Sequence, residues 1–389
     1  MMRIFICLFI LYVSLPFNVN AQDILVSAKI LDAETHDALP NATICIGSGK
    51  STIANVDGEF VVGAKPQEIL TISYVGYKPV KVKAESVRDV VMLIPYAIEL
   101  NEVKVVPLKS ILERVVSTLN NEITLYKKKE SNFYYRQTTQ NDGEYCEYIE
   151  AFLNGYSEVA LRQLSMVAGR YGVLENTDEK RYSYVGNFYD GSCISPYTSQ
   201  KVSKKRIIIP LMADSNNLYQ VDYDILGDKS NGSFLYRIIF TPRIRVKTPI
   251  VRAILYVDAE TFKIQRYEGE QLYNHIITGK GDRFPLNQSF SVTYTHHRGF
   301  TEVLSVSTRG EYSQNGVSVS INSTLVNVGQ KYFNGKMKLG DFSNLKNKIS
   351  SIAYDPKFWN DNIIIKRTPM EEKVARMFEK ENVFSNVNE

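Results

Sequence analysis

The sequence predicts a mainly β protein: a small N-terminal antiparallel β-sandwich, then a helix, then a larger curved antiparallel β-sheet domain with a C-terminal helix. Two observations predict this fold. Short runs rich in Val, Ile, Tyr and Phe recur along the chain, and turns rich in Gly, Asn and Asp separate them about every ten residues. Two segments show instead the three- and four-residue apolar spacing of an amphipathic helix.

The start of the chain has the three-part pattern of a cleavable secretory signal peptide. Met1–Arg3 is a short basic region, residues 4–17 are almost wholly apolar, and Val19 and Ala21 place small residues at a cleavage site. The apolar run of about 14 residues is shorter than the roughly 20 that a membrane-spanning helix needs, which disfavours an uncleaved anchor. We expect the mature chain to begin at Gln22, to be exported, and to carry no transmembrane helix.

The composition is that of an ordinary globular protein with nearly balanced charge. Hydrophobic residues make up 44% and charged residues 23% of the 389 residues, and the formal net charge is +4. Basic clusters occur at Lys127–Lys129, Lys201–Arg206 and Arg243–Lys247. In an exported protein such clusters indicate solvated surface, so we expect no nucleic-acid partner.

The segment after the signal peptide predicts a small sandwich of short strands. The turn Asn55-Val56-Asp57-Gly58 separates two of them, because Asp favours bends and Gly supplies positive φ without steric cost. The predicted strands are Ile24–Leu31, Ala42–Ile46, Glu59–Val62, Ile69–Tyr74, Lys78–Val82 and Asp89–Leu93.

Three motifs in this segment carry a family resemblance. They are Ala38-Leu39-Pro40-Asn41-Ala42, then Asn55 to Phe60, then Leu70 to Tyr77. Together they resemble the carboxypeptidase regulatory-like domain, a transthyretin-like β-sandwich found beside metallocarboxypeptidases and in envelope proteins of diderm bacteria. Thr35-His36-Asp37 departs from the Thr-Gly that the family usually has there. The resemblance implies a location in the periplasm or at the outer-membrane periphery, and it leaves peripheral association with that membrane open.

The remainder of the chain predicts a helix and then hairpins. Leu108 to Leu125 has an apolar face, formed by Ile111, Leu112, Val115, Val116, Leu119 and Ile123. The strands that follow are Asn132–Gln137, Ser233–Phe240, Ala253–Asp258, Phe262–Tyr267, Phe290–Thr295, Val303–Arg309 and Ser318–Val326. Successive hairpins predict one long antiparallel sheet. Residues 165–211 are less regular and predict an excursion over it.

The end of the chain predicts a docked helix. Thr368-Pro369-Met370-Glu371 is a capping box with Pro at the first helical position. We expect Trp359 to anchor this tail on the sheet. The sequence therefore divides into a signal peptide (1–21), a sandwich (22–106), a linker helix (107–130) and a large sheet domain with a helical tail (131–389).

The sequence contains none of the motifs expected of a carboxypeptidase or a serine hydrolase. A zinc carboxypeptidase needs a Glu three residues after a metal-binding His. The four histidines are His36, His275, His296 and His297, and none has this spacing. There is no Gly-x-Ser-x-Gly elbow, and Gly279-Lys280-Gly281 lacks the spacing of a phosphate loop.

Acidic pairs give no better indication of a site. The pairs Glu144 and Glu147, and Glu268 and Glu270, are best interpreted as solvated, because Glu is mostly exposed. We expect no catalytic, cofactor-binding or metal-ligating residues, and no cofactor.

Three cysteines remain after signal cleavage, which allows at most one internal disulfide. Cys146 and Cys193 are the pair left open. Cys45 lies in an apolar run and is expected to be a small buried hydrophobe.

These patterns favour a non-catalytic envelope protein. Its sandwich would act as an adaptor or spacer, and its large sheet would bind a protein partner or an apolar ligand. Two alternatives stay open: a periplasmic carrier of lipid or lipoprotein, and a hydrolase with a site assembled from distant residues. A packed concave face would count against the carrier, and a buried His–carboxylate–nucleophile set would favour the hydrolase.

Overall fold

The computed structural model describes most of the two β-rich regions. The described residues are 23–47, 51–98, 106–125, 130–157, 159, 161–173, 195–197, 201–202, 205–212, 217–228, 232–243, 248–277, 281–297, 299–329, 337–338, 349, 354–362, 364–380 and 384. The predicted signal peptide and Cys193, one member of the cysteine pair that the sequence left open, lie outside them. The other member, Cys146, is described and is a buried free thiol.

The N-terminal region is a sandwich of two small sheets. Its strands are β1 (Ile24–Asp32), β2 (Thr43–Ile46), β3 (Ser51–Ile53), β4 (Glu59–Ala64), β5 (Ile69–Ser73), β6 (Val80–Lys83) and β7 (Val90–Leu93). In its described part the strand orders are β4-β1-β7 and β3-β2-β5-β6. Alternate apolar side chains of both sheets, including Ile30, Ile44 and Phe60, form a common buried core.

One pairing in the sandwich differs from the all-antiparallel prediction. β7 runs parallel to β1, and Lys29 lies opposite Val90. The chain passes through β5 and β6 of the other sheet before it returns to the free edge of β1, so it arrives in the same direction as β1.

The motif Asn55 to Gly58 forms the predicted turn. The backbone N–H groups of Asp57 and Glu59 donate to Oδ1 of Asn55 at 3.0 and 2.9 Å. Gly58 has a φ of +77°. A Cβ atom there would lie 2.6 Å from the carbonyl oxygen of Ile30, so only glycine fits.

The larger region is dominated by one long sheet. Its strands, with a separate short hairpin of β12 and β13, are β8 (Ala97–Ile98), β9 (Glu130–Asn141), β10 (Glu144–Ser157), β11 (Leu161–Val173), β12 (Lys201–Val202), β13 (Lys205–Arg206), β14 (Tyr219–Asp228), β15 (Ser233–Pro242), β16 (Ile250–Asp258), β17 (Ile264–Ile277), β18 (Arg283–His297), β19 (Phe300–Gln314), β20 (Val317–Gly329) and β21 (Met337–Lys338). Within the described residues twelve strands pair in the order β21-β11-β10-β9-β20-β19-β18-β17-β16-β15-β14-β8, all antiparallel. The mainly β prediction is therefore confirmed.

Part of the predicted excursion belongs to this sheet. Residues 165–173 are the second half of β11 rather than an irregular segment. Gly169 and Gly172, which suggested a loop, instead make room for neighbours: Ile349 packs against Gly169, and Phe378 and Phe384 pack against Gly172.

The helix α1 (Leu108–Leu125) lies on the inner face of the sheet, which we define as the face that carries Phe133 and Tyr135. Its apolar stripe is buried there, with Ile111, Val115 and Leu119 almost completely covered. The same cluster contains side chains from β10 and β11 near one end of the sheet and from β14 to β16 near the other. The helix and the inner face of the sheet therefore share one core.

The outer face, which carries Tyr134 and Arg136, holds the C-terminal tail. The tail contains α2 (Pro356–Asp361) and α3 (Pro369–Lys380). The capping box is confirmed, because Oγ1 of Thr368 accepts from the N–H of Glu371 at 3.1 Å and Glu371 accepts from the N–H of Thr368 at 2.9 Å.

Trp359 anchors the tail on the sheet, as the sequence predicted. Its side chain is buried in a cluster with Tyr134 and Phe152, and its ring centre lies 5.6 Å from that of Phe152. The guanidinium of Arg170 stacks over the Trp359 ring at 4.7 Å.

The sandwich docks on the same outer face, beside the tail. Ser51 Oγ donates to the carbonyl of Asn327 on β20 at 2.6 Å, and Thr52 Oγ1 donates to the carbonyl of Ile364 at 2.5 Å. Lys366 of the tail pairs with Glu59 of β4 at 3.0 Å. Sandwich, sheet and tail are therefore packed against one another by direct contacts.

Candidate functional site

A cleft of about 360 Å³ lies between the sandwich and the large sheet. The sandwich contributes Thr43, Cys45, Ser73, Tyr74, Tyr77 and Tyr96 to its lining, and the sheet region contributes Phe234, Asp258, Gln265, Arg266, Thr295 and His296. Its volume is near the lower end of the range for small-molecule sites, roughly 300 to 1,000 Å³.

The sandwich wall follows from strand alternation. On β2, Ile44 points into the sandwich core, so Thr43 and Cys45 point outward into the cleft. Cys45 is thus half-buried and lines a cavity. Its apolar surroundings in the sequence had predicted a fully buried core residue instead. Burial raises the pKa of its thiol.

Two tyrosines after β5 give the wall an aromatic surface. The rings of Tyr74 and Tyr77 meet edge to face, with centroids 5.3 Å apart. The hydroxyl of Tyr77 donates to Oδ2 of Asp32 at 2.6 Å, which fixes the orientation of its ring. This hydrogen bond lowers the pKa of Asp32, while burial and the same carboxylate raise the pKa of Tyr77.

Arg266 on β17 is the central polar group of the opposite wall. Its residue is only 7% exposed, its guanidinium carbon lies 4.4 Å from the Tyr74 ring centre, and its Nη2 lies 2.7 Å from Oε2 of Glu268. Burial alone would lower the pKa of Arg266, but Tyr74 and Glu268 outweigh it, so the group stays charged.

The Nε–H of Arg266 has no hydrogen-bond partner among the described residues. A buried donor without an acceptor costs about 1–3 kcal/mol. Arg266 therefore carries a buried, unsatisfied donor in the wall of the cleft.

His296 lies where the cleft meets the end of helix α1. Its Nδ1 is 3.3 Å from Oγ1 of Thr301, and Lys263 and Glu122 lie nearby, 3.5 Å from each other. Burial and Lys263 lower the pKa of His296, so its imidazole is neutral at pH 7. Its Nε2 has no partner among the described residues. The orienting carboxylate of a catalytic triad accepts from Nδ1, and the Nδ1 of His296 lies beside the Thr301 hydroxyl instead.

The cleft is therefore a candidate binding site, and its lining includes Cys45, Asp258 and His296. No group of three or more His, Cys, Asp or Glu side chains capable of holding a metal ion occurs in the described part of the chain. The expectation that the chain has no catalytic, cofactor or metal residues stays a prediction.

The acidic pairs from the sequence separate in the structure. Glu270 is exposed and lies 3.6 Å from Arg252, in agreement with a solvated position. Glu268 instead forms an ion pair with the buried Arg266. Glu147 is wholly buried on the inner face, where Oγ1 of Thr139 and the hydroxyl of Tyr171 donate to it at 2.6 and 3.0 Å. The solvated interpretation of Glu147 was wrong.

A buried charge cluster on the outer face was also missed. Glu150 on β10 is 1% exposed and accepts from Nε of Arg170 at 2.6 Å and Nε of Arg136 at 3.2 Å. Arg367 of the tail approaches the same carboxylate at 3.5 Å, and the hydroxyl of Tyr148 donates to it at 2.9 Å.

Electrostatics keep this carboxylate ionised. Burial alone would raise the pKa of Glu150. The charges of Arg170, Arg367 and Arg136 lower it by more than burial raises it, so the pKa lies well below its usual range. The cluster joins strands to tail, and its atoms are enclosed, so it serves to fasten the tail rather than to meet a ligand. A signal in the sequence was that Glu150, like Glu147, interrupts the apolar and aromatic run from Tyr145 to Leu153.

Comparison with known families identifies the first domain. Residues 26–105 match the family model of the CarboxypepD_reg-like domain, which confirms the resemblance seen in the three motifs. No curated protein matches the chain.

Two solved structures are similar to parts of this chain at low identity. One is a LolA superfamily protein from Nitrosomonas europaea, with 13% identity, a TM-score of 0.20, and coverage of 63% of this chain and 97% of that one. The other is a DUF1329 family protein from Desulfovibrio piger, with 14% identity, a TM-score of 0.22, and coverage of 57% and 94%. At these TM-scores the shared geometry is too small to bear on function.

None of the described helices combines the length and the apolarity that crossing a bilayer requires.

Proposed function

We propose that this chain is an exported, non-catalytic binding protein of the cell envelope. In this proposal the sandwich is an adaptor that completes a recognition site together with the large sheet. The observation that carries it is the cleft itself, because Tyr74 from one region and Arg266 from the other form its walls and leave a buried donor unsatisfied.

The compartment and the domain division belong to the same proposal. The signal-like residues 1–21 support export, and the CarboxypepD_reg-like domain supports a place in the periplasm or at the outer-membrane periphery of a diderm bacterium. The functional units are residues 22–106, 107–130 and 131–389, with no cofactor.

A cleft-filling variant tests this proposal. Cys45→Trp places an indole in the cleft from an outward-facing position that makes no hydrogen bond needed by the fold. Lys81→Trp on β6 is the matched control, because its side chain is exposed on the same small sheet and lies outside the cleft lining. Circular dichroism establishes that both variants are folded.

The readout is retention of components from an envelope extract on immobilised wild-type and variant protein. We expect specific components to bind wild type and Lys81→Trp and to be lost with Cys45→Trp. Equal retention by all three proteins would show that the cleft is not the binding site. An intact N-terminus on protein purified from the cytosol would refute the proposed export.

A lipid or lipoprotein carrier is the second candidate, favoured by helix α1 across the inner face. Leu112 and Val116 of the helix are only partly buried, as are Met212 and Val221, and all four pack against the core of the inner face. The described inner face beneath is filled, however, and its large rings include Tyr135, Tyr236, Phe240 and Tyr267. Among the described residues, this packing counts against an open acyl-chain cavity beneath helix α1.

Solvent extraction of protein purified from envelopes, followed by mass spectrometry, separates the two candidates. Under the first proposal the extract contains no stoichiometric lipid. One lipid per chain would support the carrier instead.

A further inference from the structure

We propose that the cleft binds one or two sugar rings of an uncharged oligosaccharide. This inference rests on the proposed function, in which the cleft is the binding site, and it adds the chemical class of the ligand. Three observations support it: the charge balance, the aromatic and neutral polar lining, and the pairing of the strands that form the walls.

The charge balance disfavours an anion. The positive charge of Arg266 is already matched by Glu268 at 2.7 Å, and Asp258 lies on the same wall. A carboxylate or phosphate entering the cleft would therefore meet Asp258 and an arginine whose charge is already paired. A neutral ligand adds no charge to this balanced wall.

The lining suits the two kinds of surface that a sugar ring presents. The aromatic residues of the lining are Tyr74, Tyr77, Tyr96 and Phe234. The negative face of an aromatic ring attracts the C–H groups on one face of a pyranose. Neutral donors and acceptors beside them suit the hydroxyl groups around the sugar; they are Asn41, Thr43, Ser73, Gln265, Thr293 and Thr295.

The pairing of the wall strands disfavours a peptide. A bound peptide usually adds a strand to an open sheet edge, where its backbone finds unpaired N–H and C=O groups. Here β2 pairs with β3 and β5, and β5 pairs with β2 and β6. On the other wall, β17 and β18 each pair on both sides. The walls therefore offer side chains and ring faces, and an extended peptide gains no strand-like pairing with these four strands.

Isothermal titration calorimetry of the full mature chain tests the proposal with defined saccharides. The neutral probes are maltotriose, cellotriose and triacetylchitotriose, and trigalacturonate is the acidic counterpart. We expect saturable binding of at least one neutral trisaccharide, and about tenfold weaker binding of trigalacturonate. Cys45→Trp should abolish the binding, and Lys81→Trp should leave it unchanged.

A second measurement uses the unaltered protein and does not depend on a variant folding. Cys45 lines the cleft, so a bound saccharide should slow its modification by N-ethylmaleimide, followed by peptide mapping. Modification of Cys146, which is buried between β9 and β10, reports whether the protein has unfolded.

The outcomes separate this inference from the proposed function. No saturable binding at millimolar saccharide, or equal binding of trigalacturonate, overturns the sugar proposal. If wild type retains envelope components in that case and Cys45→Trp does not, the cleft remains a binding site with a different ligand. A third outcome overturns both proposals: Cys45→Trp binds the saccharide as wild type does, and the saccharide does not protect Cys45 of wild type from N-ethylmaleimide.

Discussion

Glu150 on β10 lies directly opposite Arg170 on β11, and Nε of Arg170 donates to Oε2 of Glu150 at 2.6 Å. Arg136 on β9 faces the same carboxylate from the other side. The strands alone thus bring two cations to one anion. The tail supplies the missing carboxylates, because Glu371 reaches Arg136 at 3.5 Å and Glu379 reaches Arg170 at 2.9 Å.

Replacing Glu150 by Gln should strongly destabilise the protein. The change leaves buried arginines without their shared counter-charge, and breaking a buried pair from one side costs about 3–5 kcal/mol. Urea unfolding measures the loss. Glu311→Gln is the control, since its pair with Arg309 is exposed, and the free energy of unfolding should change by no more than about 0.5 kcal/mol. Similar losses for the two variants would contradict the role of the cluster.

The same cluster predicts sensitivity to acid. The pKa of Glu150 is lower in the folded than in the unfolded state, so its stabilisation is fully present above the unfolded pKa of about 4.3 and is lost as pH falls through the folded pKa. Wild type should lose stability from about pH 5 downward. The difference between wild type and Glu150→Gln should shrink over that interval. A difference that is constant between neutral and acid pH would refute this linkage.

Thr368→Ala should loosen the tail by about 1 kcal/mol, because it removes the acceptor for the Glu371 N–H at the start of α3. Hydrogen exchange measured by mass spectrometry should show faster exchange in α3 and unchanged exchange in β15 to β18. Ser289→Ala, an exposed change on β18, is the comparison. Unaltered exchange in α3 would mean that the capping box does not hold the helix.

Two glycine variants separate backbone strain from steric contact. Gly58 and Gly143 both have positive φ, at +77° and +87°. An added Cβ would meet the Ile30 carbonyl at Gly58 and open space at Gly143. Left-handed backbone costs about 1–2 kcal/mol for alanine at either position, so Gly58→Ala should cost clearly more than Gly143→Ala in thermal unfolding. Equal costs would show that the turn relaxes.

Local patterns predicted the elements that follow simple rules. The turn at Asn55–Gly58, the stripe of α1 and the Thr368 capping box all depend on neighbours within four residues. Alternating apolar residues likewise identified β15 and β20. These features are local, so the sequence order carries them directly.

Other features depend on contacts that spacing does not show. β10 and β11 place charges, Glu147, Glu150 and Arg170, at buried positions, which interrupts the apolar pattern that identifies strands. The cleft joins Tyr74 to Arg266, from regions whose docking no motif encodes. Cys45 was expected in the core because its strand is apolar. The sequence does not show that its outward side faces the large sheet across the cleft.

The pairing of β9 with β20 has a consequence for how the chain assembles. Tyr135 lies opposite Leu325, so the first long strand of the sheet cannot gain its second neighbour until nearly the whole chain is present. Contacts between such distant segments form slowly, because a large loop must close before they are made. During synthesis one edge of β9 therefore stays open, with unpaired backbone N–H and C=O groups, until β20 has been made.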